Sequence, residues 1–156
     1  MKFADFICLK AINVSLKADD SESVVRELAQ GLIAAGQLKK SQFKGAVEAI
    51  LKREKLGSTG MGHGVAIPHT KYAGVKQTTC AVGISQSGVD FASLDGEFTH
   101  VFFLLVSPPG APDNHVRALK KIVELVGNGT FCRFARQANG VTGIEQLFEE
   151  ADDEGV

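Results

Sequence analysis

The sequence predicts an α/β fold, a single domain in which a mixed β-sheet lies between helices. Three observations carry that prediction. Segments with apolar residues at helical spacing are interleaved with segments rich in β-branched and aromatic residues. The run HVFFLLV at residues 100–106 is apolar almost throughout, the pattern of a central strand covered on both faces. With 156 residues, 44% hydrophobic and 22% charged, the chain has the length and composition for one core.

Each element has its own signal. INVSL at residues 12–16 alternates apolar and polar and predicts a short strand, after which Asp19, Asp20 and Ser21 offer helix N-caps. Val24, Val25, Leu28, Ala29, Leu32 and Ile33 then share a helical face, and Gly36 is placed to end the helix. Ser41 is the expected cap of a second helix running to Gly57, with Phe43, Val47, Ile50 and Leu51 inward and Lys52, Arg53 and Glu54 outward. A glycine-rich loop and a short apolar VAI at residues 65–67 follow. Residues 78–85 and 100–106 predict two strands. The prolines of SPPGAPDN mark a turn, and Asp113 is the expected cap of a helix carrying Val116, Leu119, Ile122, Val123 and Val126. Two shorter helices close the chain. The last begins with Thr142 and Glu145 in capping-box spacing and contributes Ile144, Leu147 and Phe148 to a core spanning about residues 6–149. The acidic residues 150–156 read as a solvated tail.

Composition also excludes functions. Seventeen basic against eighteen acidic residues leave a net charge of −1, without the basic face that nucleic-acid binding requires. No apolar run approaches the length of a membrane span, and the N-terminal residues show no signal-peptide pattern, so a cytoplasmic protein is expected. Cys8, Cys80 and Cys132 are odd in number, widely spaced and in no CxxC pair, which argues for reduced, mostly buried thiols rather than a disulfide or zinc framework.

The chemistry concentrates in LGSTGMGHGVAIPHT, residues 56–70. A phosphate-cradling P-loop would need lysine where His63 stands and a hydroxyl where Gly64 stands. A G-x-G-x-x-G fingerprint begun at Gly60 or Gly62 ends on Val65 or Ile67. His63 and His69 without a nearby carboxylate or thiolate are a thin metal set, so no metal is expected. What remains is a histidine that is itself the reactive group. Imidazole is partly uncharged at neutral pH and can form a covalent phosphoryl intermediate. Pro68 would fix the backbone that presents His69, and Gly60, Gly62 and Gly64 would let donors and a partner protein approach it. Arg53, just ahead of the loop, and His115, in the first turn of its helix, are the candidates to neutralise phosphoryl charge. His100, at the start of the apolar strand, reads as structural.

The run REKLGSTGMGHGVAIPHT, residues 53–70, resembles the active-site segment of the enzyme IIA proteins of the bacterial phosphoenolpyruvate-dependent phosphotransferase system, in the fructose, mannitol and nitrogen-regulatory class. FFLLVSPPGAPDNHVRALKKI, residues 102–122, resembles the second active-site segment of the same family. The resemblance implies that His69 is the phosphorylated histidine, through Nε2, that His115 helps hold the phosphoryl group, and that Arg53 belongs to the same site. Gly60, Gly62, His63, Gly64 and Thr70, which border His69 in the run, are then the expected binding residues. It implies no cofactor, a phosphoryl donor that is HPr or its nitrogen-branch counterpart, and as acceptor an enzyme IIB cysteine or a regulated target such as a kinase or transporter. GSTGxGxGxAIPH is closer to the nitrogen-regulatory subgroup than to the sugar-specific one. A sugar-specific IIA and a non-catalytic binding module remain the alternatives. One residue departs from the pattern: His63 stands where members commonly have asparagine, and is read as a tolerated polar substitution.

Overall fold

In the computed structural model, which describes residues 1–156, six strands form one mixed sheet with helices on both faces. The strands are β1 (Ile7–Asn13), β2 (Gly60–Gly62), β3 (Val65–Ala66), β4 (His69–Lys71), β5 (Thr79–Val89) and β6 (Thr99–Ser107). The helices are α1 (Ser21–Ala34), α2 (Phe43–Lys55), α3 (Pro112–Val126), α4 (Thr130–Gln137) and α5 (Val141–Asp153). The predicted architecture is therefore present.

β6 is the centre of the sheet because no residue from Val101 to Val106 needs water. Val101, Phe103 and Leu105 join the core under α3, α4 and α5, while Phe102, Leu104 and Val106 join the core under α1 and α2. β6 pairs antiparallel with β5, and β1 adds in parallel beyond β5. On its other side β6 meets β3 and β4 in succession, both parallel: Val65 aligns with Val101 and His69 with Leu105. These two short strands are one stretch of chain interrupted at Pro68. Proline has no N–H to donate to the ladder, although its carbonyl still accepts from Leu105 N at 3.0 Å. β4 pairs with β6 alone, which leaves its far edge open.

Several local expectations are corrected. The first strand covers Ile7–Asn13 rather than residues 12–16, and its buried residues are Ile7, Ala11 and Ile12. Ser41 does not cap α2. It lies in a 3-10 turn, Lys40–Gln42, and the cap position is Gln42 without a side-chain bond. Asp113 is inside α3, which starts at Pro112 with Ala111 at the cap. Thr142 likewise lies inside α5, whose cap is Gly140, and α5 matches α2 in length instead of being short. Asp20 does cap α1, accepting from Ser23 N at 2.8 Å, and Gly36 follows the helix with φ +80°.

The acidic C-terminal segment is not a free tail. The Asp152 carboxylate accepts from the backbone N–H groups of Phe3 and Ala4, at 2.7 and 3.1 Å, and Lys121 Nζ donates to the Val156 carbonyl. Carboxylates here cap the N-terminal turn, an interaction between chain ends that no local pattern announces. Cys80 and Cys132 are buried as expected, and burial pushes the Cys132 thiol up to about 11 and that of Cys80 higher still. Neither is a thiolate at neutral pH.

Candidate functional site

The residue after Pro68 emerges at the end of the sheet where β6 gives way to the SPPGAP turn. His69 opens β4, and its Nδ1 lies 2.7 Å from the Ile67 carbonyl oxygen. A carbonyl can only accept, so Nδ1 carries the proton and Nε2 keeps its lone pair. The proline that breaks the ladder thus also places a carbonyl where it selects the tautomer. Burial holds the His69 pKa below the ordinary imidazole range, with the Arg53 charge acting in the same direction and the Ile67 hydrogen bond and Glu54 opposing. The ring is neutral at pH 7, with a free nitrogen.

Across the turn, α3 delivers His115. The imidazoles of His69 and His115 lie with centroids 5.6 Å apart, inclined at 51°. His115 is buried, and its Nδ1 is 2.7 Å from the Ser107 hydroxyl at the end of β6. Burial, together with the nearby His69 and Lys71, pushes its pKa down to about 4. Because Ala111 offers no side-chain cap and Pro112 has no N–H, the first turn of α3 leaves backbone donors without a cap beside this histidine. Such an end favours an anion.

Arg53 lies in the last turn of α2 and donates from Nη1 to the Gly57 carbonyl at 3.1 Å, half-buried against the loop that follows. Glu54 fixes the same loop from the other side. Its carboxylate accepts from Thr59 N at 2.8 Å and from the Thr59 hydroxyl. The structure brings together His69 and His115, and Arg53 lies near enough for its charge to act on His69; all three were singled out from the sequence.

It separates the others. Gly62 precedes the β2–β3 turn and Gly64 lies in it, where Gly64 O accepts from His100 N and Val101 N, while His69 aligns with Leu105 four residues further along β6, about 13 Å away at strand spacing. Gly62, His63 and Gly64 have φ of 84°, 54° and 80°, and His63 and Gly64 form the two-residue turn, whose successive positive φ values are those a type I′ hairpin requires. Gly60 lies under Ser93, where a Cβ would collide with the serine side chain, and Gly62 is close against the Asp95 carboxylate. These glycines build a hairpin rather than open access to the imidazole. His63 itself is exposed and anchored through its backbone N–H to Asp95 Oδ2 at 2.9 Å. Its asparagine counterpart now has a reason, since asparagine tolerates the left-handed conformation well. His63→Asn is expected to leave stability equal or a few tenths of a kcal/mol higher, read from the denaturation midpoint. Thr70, by strand alternation, leaves on the opposite face from His69, towards α2, so it does not line the imidazole pair.

Two residues were missed. Lys71 and Ser107 align with each other in the β4–β6 ladder on the same face as His69, and Lys71 supplies a charge that His115 feels. Alternation from His69 would have found Lys71. Ser107, the last residue of the apolar strand, has no sequence signal beyond its position before the prolines.

Comparisons with known proteins give the family and the fold. The family described as phosphoenolpyruvate-dependent sugar phosphotransferase system, EIIA 2, matches residues 6–151. The chain belongs to that family. A nitrogen regulatory protein of Bradyrhizobium diazoefficiens is 31% identical over 144 residues, covering 92% of each chain. A fructose-specific EIIABC component of Bacillus subtilis is 37% identical over 153 residues, 97% of this chain but only 24% of that larger protein. Among solved structures, the nitrogen regulatory protein IIA-Ntr of Neisseria meningitidis superposes with a TM-score of 0.83 at 27% identity, over 94% of this chain and 98% of that one. The EIIA domain seen here is thus a phosphotransfer domain of the phosphotransferase system. No helix is long and apolar enough to cross a membrane.

Proposed function

We propose that this EIIA domain is a histidine phosphocarrier in which His69 Nε2 receives a phosphoryl group from a phosphohistidine of HPr or its nitrogen-branch counterpart. The observation that carries the reading is the pair of imidazoles with centroids 5.6 Å apart, one with Nδ1 tied to the Ile67 carbonyl so that Nε2 is the nucleophile. In the transfer, the bond from phosphorus to the donor imidazole breaks as the bond to Nε2 forms. The donor ring leaves neutral, and the positive charge passes to the His69 ring. There the Ile67 carbonyl, accepting from Nδ1–H, stabilises it. His115, Arg53 and the uncapped N–H groups of α3 supply donors and charge for the phosphoryl oxygens. No metal or nucleotide takes part.

For the onward step, a regulatory role is supported by the GSTG segment and by the two-way coverage of the nitrogen regulatory relative. Transfer to an enzyme IIB cysteine in sugar uptake is the second reading, favoured by the 37% identity to a fructose-specific component. A phosphoryl adds roughly −2 charge and three acceptor oxygens, enough to change which target surface the domain fits. The test is incubation with phosphoenolpyruvate, enzyme I and each HPr-type carrier, followed by intact mass. One acid-labile phosphoryl per chain is expected. No labelling by any carrier overturns the proposal.

A further inference from the structure

Building on the phosphocarrier reading, we propose that Ser107 is a positioning residue: its buried hydroxyl donates to His115 Nδ1 and so holds His115 as the Nε2–H tautomer, a hydrogen-bond donor to the phosphoryl group on His69.

The Ser107 side chain is completely buried, and its Oγ makes one hydrogen bond, the 2.7 Å contact to His115 Nδ1. Two assignments of that bond are possible, and they differ in what they leave unpaired. If His115 Nδ1–H donates, the serine proton points into the core with no acceptor, which is among the costlier arrangements a buried donor can take. If the serine donates, both the hydroxyl proton and the imidazole lone pair are satisfied by the same bond, and only an acceptor site on Oγ goes unused. The second assignment puts the remaining proton on Nε2.

The consequence for the site is a division of labour between two neutral imidazoles. The Ile67 carbonyl accepts from His69 and leaves its Nε2 with a lone pair; the Ser107 hydroxyl donates to His115 and leaves its Nε2 with a proton. One ring attacks and the other donates. With the opposite tautomer, the lone pair of His115 Nε2 would face a group carrying roughly −2 charge, which would repel rather than hold it. In the unphosphorylated chain, burial and the neighbouring His69 and Lys71 keep His115 neutral at pH 7, so its tautomer decides whether Nε2 meets the incoming group as a donor. The titratable groups whose charge acts on His115 are His69 and Lys71 from β4, and the side chain hydrogen-bonded to its Nδ1 is Ser107.

The experiment is long-range proton–nitrogen NMR of the imidazoles in the unphosphorylated chain at pH 7, comparing wild type with Ser107→Ala and Ser107→Thr. His115 is expected to show a protonated Nε2 and bare Nδ1 in wild type and Ser107→Thr, and a mixture in Ser107→Ala. Phosphoryl acceptance should fall about tenfold in Ser107→Ala, less than on loss of His115 itself, and be largely restored in Ser107→Thr. The decrease should vanish when Ser107→Ala is added to His115→Ala. A protonated Nδ1 in wild type, an unchanged tautomer in Ser107→Ala, or effects of the two substitutions that simply add would overturn the inference. The NMR result stands whether or not the chain is phosphorylated, so failure of the phosphocarrier reading shows separately, as wild type that never labels.

Discussion

His69→Ala is expected to abolish acid-labile phosphorylation by phosphoenolpyruvate, enzyme I and HPr while leaving the fold intact. The side chain is only half-buried at the open edge of the sheet, so its loss removes little core, and Pro68 and the β4 ladder to β6 remain. Intact mass should show no phosphoryl, with circular dichroism unchanged. Undiminished labelling of this variant would mean that another group is the acceptor. His115→Ala should still be labelled but at a rate roughly 10²-fold lower, the usual size of losing one preorganised donor at a charged transition state. The pH profile separates the roles further. A nucleophile must be neutral, and the His69 pKa lies below the ordinary imidazole range, chiefly through burial. Wild-type acceptance should therefore stay level from pH 8 to about 6.5 and decline only as protons compete for Nε2 at lower pH. A decline already centred near 6.5 would indicate a solvated imidazole and contradict the geometry.

The second large effect is on stability. Phe103→Ala, at the middle of β6, should destabilise the domain by about 3–5 kcal/mol, a large share of the ~5–15 kcal/mol that holds a domain of ordinary stability together. Phe103 is fully buried, pairs with Val82 in the neighbouring strand, and packs its ring against Phe131 at 6.0 Å and Phe148 at 6.4 Å. Those partners belong to α4 and α5, so the cavity would open between the sheet and both C-terminal helices, where close-packed rings cannot collapse to fill it. The urea midpoint should fall with an unchanged slope. A loss under about 1 kcal/mol would show that the layer is loosely packed.

Much of this was legible without coordinates. The interleaving of helical and strand patterns and the apolar run at residues 100–106 determined the three-layer class, because periodicity reports which faces must leave water. The IPH triplet singled out His69, since a proline fixes the backbone that precedes it. What failed were helix starts. Ser41, Asp113 and Thr142 are all sound capping residues by type, yet the chain enters each helix one or two residues away, at Gln42, Ala111 and Gly140. Packing of the apolar face decides where a helix begins, and a cap worth about 1 kcal/mol does not outweigh it.

The glycine-rich run shows the division most clearly. By itself the sequence determined that residues 60–64 could not be regular helix and that a rigidly presented histidine followed. Only the tertiary structure decided that the glycines serve a hairpin turn against Ser93 and Asp95, a distance down the sheet from His69. It likewise decided which groups complete the site. His115 and Ser107 come to His69 through the pairing of β4 with β6 and the turn into α3. Strand register sets such contacts, and register is fixed by which face is buried against the helices, a property of the whole sheet that no stretch of sequence carries alone.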